Sequence, residues 1–142
     1  MELAKVKQCT VLFVNPNAKR SPHPGYLREI GFLVDESADW PAADDAVRKY
    51  HVVVVYVWDM NRAPMIAARL RAKPHFGRRL LIALADPGTS PQDRRVAEAA
   101  GFDDVVDECC KSRLLTARIL RRIRARPELR CALPPPPRRS AA

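Results

Sequence analysis

Acidic side chains are the residues of this 142-residue chain best suited to do chemistry, and several follow directly on apolar runs. Asp35 and Glu36 come after Val34, Asp59 after the run 52–57, Asp86 after 80–85, and Asp107 and Glu108 after Val105-Val106. If those runs are strands, the carboxylates collect at strand ends, where acids can hold a divalent cation or accept a phosphoryl group. As residue types they fit equally well as solvated loop acids. The other reactive groups are scattered. His23, His51 and His75 have no carboxylate, Ser or Cys partner at a recognisable spacing, so no catalytic triad is read. Cys9, Cys109, Cys110 and Cys131 form no C-x-x-C and have no paired histidines, which predicts reduced thiols rather than a disulfide or zinc site. Asp107 and Glu108 disfavour a reactive thiolate at Cys109-Cys110. With five glycines and no G-x-G-x-x-G, a nucleotide-binding loop is absent. These residues predict no metal, no cofactor and no enzyme.

The elements that must position these acids are organised by Val52-Val53-Val54-Val55-Tyr56-Val57. Six consecutive β-branched or aromatic residues without polar alternation describe a strand covered on both faces, as in the middle of a parallel sheet. Thr10 to Val14 and Leu80 to Ala85 read as further buried strands, 31–34 as a short one, and 102–106 leads into a fifth. Helices are predicted from Ser21-Pro22 to Ile30, over 41–50, over 64–71 with Met65, Ala68 and Leu70 inward, from a Ser90 cap to Gly101, and over 111–126. Trp40 and Trp58 read as packing under loops. The alternation predicts a flavodoxin-like doubly wound α/β domain, a five-stranded parallel sheet with five helices in three layers. It spans 1–126, and a Pro/Arg-rich tail over 127–142 has nothing to bury.

From Leu81 onward the chain resembles a known family. Leu81-Ile82-Ala83-Leu84-Ala85, then Asp93, then Ala97-Glu98-Ala99-Ala100-Gly101-Phe102-Asp103-Asp104-Val105-Val106 is similar to the second half of a two-component response-regulator receiver domain. Arg69-Leu70-Arg71-Ala72-Lys73-Pro74 resembles the end of that family's third helix, and Gly31-Phe32 with Val34 the start of its second strand. The likeness covers about residues 8–126. It implies a CheY-like fold and a place in phosphorelay signal transduction, but the phosphotransfer residues do not carry over. The metal-binding acid pair falls on Asn15-Pro16. The phosphoacceptor falls on Tyr56, give or take one residue, the hydroxyl switch on Ala85 and the lysine on Glu108. Asp59, three residues on, is the remaining candidate acceptor. The resemblance therefore implies a stand-alone pseudo-receiver that signals through protein contacts. The alternative is a small-molecule or cofactor-binding domain of the same fold.

Charge points to where a partner docks. Residues 1–110 carry 15 basic and 15 acidic side chains, whereas 111–142 carry ten basic residues against Glu128 alone, and so the whole net charge of +9. Arg113, Arg118, Arg121 and Arg124 fall opposite Leu115, Ile119 and Ile123 on the last predicted helix. Arg113, Arg121 and Arg124 are the predicted docking residues for an acidic protein or a second copy of the chain, with Arg138 and Arg139 contributing from the tail. Aromatic residues are absent from 111–142, so nucleic acid is the lesser expectation and would be held by phosphate contact alone. No apolar run has the length of a membrane span, and a cytoplasmic protein is expected.

Overall fold

The computed structural model describes residues 7–17, 20–38, 50–73, 76, 79–129 and 131–133. Five strands, β2 (Thr10–Val14), β3 (Leu33–Ser37), β4 (Val52–Val57), β5 (Leu80–Ala85) and β6 (Asp104–Asp107), form one parallel sheet in the order β3-β2-β4-β5-β6. The β-branched run that organises the sequence is its central strand, and all six of its residues are buried. Side-chain alternation along β4 divides the core in two. Val52, Val54 and Tyr56 join Leu27 of helix α1 (His23–Ile30) and Leu115, Ile119 and Ile123 of the last helix, α4 (Ser112–Arg124). Val53, Val55 and Val57 join Ala63, Ala67 and Leu70 of α2 (Ala63–Arg71) and Ala97 of α3 (Pro91–Ala100). The result is the expected flavodoxin-like three-layer arrangement. Four helices and a short 3-10 turn at Met60–Arg62 lie among the described residues, while the helix expected over 41–50, Trp40 and His75 lie outside them.

Several boundaries and faces differ from the sequence expectation. Helix α1 starts at His23 with Pro22, not Ser21, at the cap position; Ser21 Oγ accepts from the His23 N–H at 3.4 Å and from the Tyr56 hydroxyl. Gly31 is not in a strand: at φ 114° it closes α1, and β3 runs on through Asp35 and Glu36 to Ser37. In α2 the buried stripe is Ala63, Ala67 and Leu70, whereas Met65 is 55% exposed and Ala68 is exposed as well. Helical periodicity is the reason: Ala63, Ala67 and Leu70 share one arc of α2, and Met65 and Ala68 fall on the opposite side. Gly101, at φ 132°, ends α3 against Ala67 and Arg71. The Ser90 cap holds, its Oγ accepting from the Asp93 N–H at 3.1 Å.

The tail also begins later than expected. Pro127–Leu129 makes a 3-10 turn, and Cys131–Ala132 (β7) pairs in parallel with Lys7–Gln8 (β1). Leu129, Cys131 and Leu133 pack against the α1/α4 side of the core, so this segment does have apolar surface to bury. Residues 134–142, with Arg138 and Arg139, lie outside the described residues.

Candidate functional site

Parallel strands bring their carboxyl ends together, and here that end forms a narrow cleft lined by Asn15, Pro16, Asn17, Tyr56, Val57, Trp58 and Glu108. Three predicted site positions (Asn15-Pro16, Tyr56 and Glu108) thus converge, and Ala85 sits beside Val57 at the end of β5. Pro16 and Val57 offer no side-chain oxygen, and Glu108 is the sole acid in the lining. Asp59 is not in it. Its Oδ1 accepts from the Asn61 N–H at 3.0 Å and caps the 3-10 turn that leads into α2. Contrary to expectation, Trp58 is not packed under a loop. It is 43% exposed at the rim, with the Arg62 guanidinium 5.6 Å from its ring centre.

Other strand-end acids are occupied one by one. Asp35 accepts from the Tyr50 hydroxyl at 2.7 Å, Glu36 pairs with Arg28 at 3.0 Å and Asp107 pairs with Arg94. Among the described residues no three of these carboxylates come together.

Two contacts fix the cleft from below, and spacing in the sequence did not indicate either. The Tyr56 hydroxyl donates to Ser21 Oγ, fastening β4 to the entry of α1. Burial pushes the Tyr56 pKa up to about 12; the Ser21 bond opposes the rise, and the Glu108 and Glu36 charges add to it. His23 is fully buried between its two neighbours. Its Nε2 lies 2.9 Å from the Glu108 carbonyl oxygen and its Nδ1 2.8 Å from Ser112 Oγ. A carbonyl only accepts, so Nε2 carries a proton. In the neutral ring the Ser112 hydroxyl then donates to Nδ1. His23 thereby ties the start of α1 to the β6–α4 turn and to the first residue of α4. Its partners lie 85 and 89 residues away, and no local motif announces them.

At the opposite end of the sheet the Asp103-Asp104 pair works as a bracket. Asp103 Oδ2 accepts from Arg71 at 2.8 Å and from the Leu81 N–H at 2.8 Å, and its other oxygen takes Arg126. Asp104 draws in Arg118 at 3.4 Å and Arg122 at 3.5 Å. The arginines of α4 and of the residues just after it thus divide by role. Arg118, Arg122 and Arg126 hold the domain together, while Arg113, Arg121 and Arg124 are exposed and make no ion pair with another described residue.

Comparison with solved structures decides the fold. The chain superposes on a response regulator from Thermotoga maritima with a TM-score of 0.70 at 19% identity, over 82% of this chain and 98% of that one. An orphan response regulator of H. pylori gives 0.63 at 20% identity, over 81% and 96%. This is the receiver fold. A third receiver-fold neighbour, at 0.63 and 23% identity over 81% and 95%, is described as an atypical orphan response regulator with a phosphorylation-independent regulatory mechanism. No family model and no curated protein matches the chain. No helix among the described residues is long and apolar enough to cross a membrane.

Proposed function

We propose that this receiver-fold chain is a pseudo-receiver: a non-enzymatic signalling module that acts by protein contact, without aspartyl phosphotransfer. The observation that carries this reading is the composition of the carboxyl-end cleft. Phosphotransfer to an aspartate needs an acceptor carboxylate, hard oxygen ligands for a divalent cation and a positive group to neutralise the phosphoryl charge. Asn15, Pro16, Tyr56 and Val57 supply no carboxylate, Ala85 supplies no hydroxyl at the switch position, and Glu108 puts a negative charge where the family resemblance implies a lysine. Tyr56–Ser21 and His23–Ser112 already bind α1, β4 and α4 to one another, which supports a single standing conformation. The similar structure described as phosphorylation-independent lends further support.

The contact surface in this reading is the outer face of α4. Arg113, Ala117, Arg121 and Arg124 are exposed there, and Leu114 is 48% exposed beside them. Arginines around an exposed leucine suit an acidic protein surface or a second copy, since nucleic acid offers little to Leu114. The small-molecule alternative has Trp58 at the rim in its favour. The cleft, however, holds only about 10 Å³, little more than the space of one water, against the roughly 300–1,000 Å³ of ordinary ligand pockets.

Incubation with acetyl phosphate and Mg2+, followed by intact-mass measurement, tests the reading. We expect the mass to stay unchanged. A stoichiometric phosphoryl adduct that disappears in Asp59→Asn would restore a working receiver.

A further inference from the structure

The amino ends of the strands, remote from the cleft, carry a constellation that sequence spacing conceals. Cys9 directly precedes β2, His51 directly precedes β4, and Cys131 is delivered by β7, whose register sets Cys131 opposite Lys7 and Ala132 opposite Gln8. The ligating atoms of the three side chains, two sulfurs and an imidazole nitrogen, lie within 4.8 Å of one another. Cys9 is fully buried, while His51 and Cys131 are half-buried, which leaves a way in from solvent. Thr10 orients the imidazole: its N–H donates to His51 Nδ1 at 3.1 Å, and its Oγ1 also lies 3.1 Å from that nitrogen.

We infer that Cys9, His51 and Cys131 form a binding site for a thiophilic divalent cation, Zn2+. Two thiolates and an imidazole are the donor set zinc prefers over hard oxygen-seeking ions. Tetrahedral zinc, with Zn–S near 2.3 Å and Zn–N near 2.05 Å, needs its ligand atoms roughly 3.5–3.8 Å apart, which small side-chain rotations reach from the observed spacing. Binding releases the two thiol protons. Coordination through Nε2 moves the single proton of the neutral ring to Nδ1, where Thr10 Oγ1 accepts it in exchange for the Thr10 N–H bond. Water completes the fourth position. The ion would fasten the 127–133 segment to the amino ends of β2 and β4, closing the C-terminal chain onto the sheet independently of the cleft.

The test uses the full chain, reduced and freed of metal, titrated with Co2+ and then Zn2+. One cobalt per chain should bind with a thiolate-to-metal charge-transfer band and visible bands of tetrahedral intensity, both displaced by Zn2+, and Zn2+ should raise the melting temperature. Cys131→Ser, at the margin of the fold, should keep the far-ultraviolet circular dichroism of the parent and lose the charge-transfer band. Its loss of Zn2+ affinity should exceed the ~10–100-fold that outer-shell partners typically carry. His51→Gln gives a second reading should Cys131→Ser fail to fold. Absence of a thiolate band, or a band that survives both variants, would overturn the proposal, as would one that disappears in Cys109→Ser instead.

Discussion

At the scale of single residues, polar groups inside the fold explain more than the exposed acids do. Asp103 is the clearest case, since its side chain is 9% exposed and receives Arg71, Arg126 and the Leu81 amide. Asp103→Ala removes the side-chain acceptor of that amide and the ion-pair partner of two guanidinium groups, while Arg71 keeps the Gly101 and Arg79 carbonyls. We expect a loss of about 2–4 kcal/mol, read as a lower denaturant midpoint with an unchanged slope. Tyr56 makes a pH prediction. Its folded pKa of about 12 lies above the ordinary value of 10, so the native state keeps a proton that the unfolded chain gives up. Stability from this group is fully present below pH 10 and is lost as the pH rises toward 12. Tyr56→Phe should flatten the decline in melting temperature over that window, and an identical alkaline decline in the variant would remove Tyr56 as its source. The buried tyrosine and His23 were not legible as site-fixing residues, because their partners come from remote parts of the chain. Cys9, His51 and Cys131 escaped notice for the same reason, since metal spacing is local only when one turn or hairpin supplies the ligands.

Elements were more legible. Uninterrupted apolar runs at 10–14, 52–57 and 80–85 gave three strands correctly because burial on both faces leaves no competing period. Ser90-Pro91 and Gly101 bounded α3 because capping chemistry is local. Helix α2 was less legible because its largest apolar side chain lies off the buried arc. Met65 falls about half a turn from Ala63, Ala67 and Leu70 and stays outside, while the small alanines are buried. The end of the domain was placed too early because Leu129, Cys131 and Leu133 are single apolar residues among prolines and charges, with no period to mark them. The central strand carries its own prediction. Val54 is fully buried, and Val54→Asp places an unpaired carboxylate in the α1/α4 side of the core. Its cost of several kcal/mol is comparable with the ~5–15 kcal/mol stability of a domain. The variant should be insoluble or unfolded by circular dichroism. A folded variant with the parent's melting temperature would contradict the assignment of Val54 to the core.

For the whole molecule, the excess charge of residues 111–142 is only partly available to a partner. Arg118, Arg122 and Arg126 are spent on Asp103 and Asp104, so replacing them should lower the melting temperature. Arg113, Arg121 and Arg124 face outward on one arc of α4, and their joint replacement by Glu should leave the fold intact within about 1 kcal/mol. The cleft and this face together make the central claim, that the receiver fold works here through contact and not through phosphotransfer. Capture of partner from a lysate of the source cells, quantified with and without acetyl phosphate and Mg2+, tests it most directly. The account predicts stoichiometric capture that is indifferent to the phosphodonor and abolished by the triple Glu variant, in which like charges meet across the interface. Capture that requires acetyl phosphate and is lost in Asp59→Asn, while surviving the arginine reversal, would contradict it.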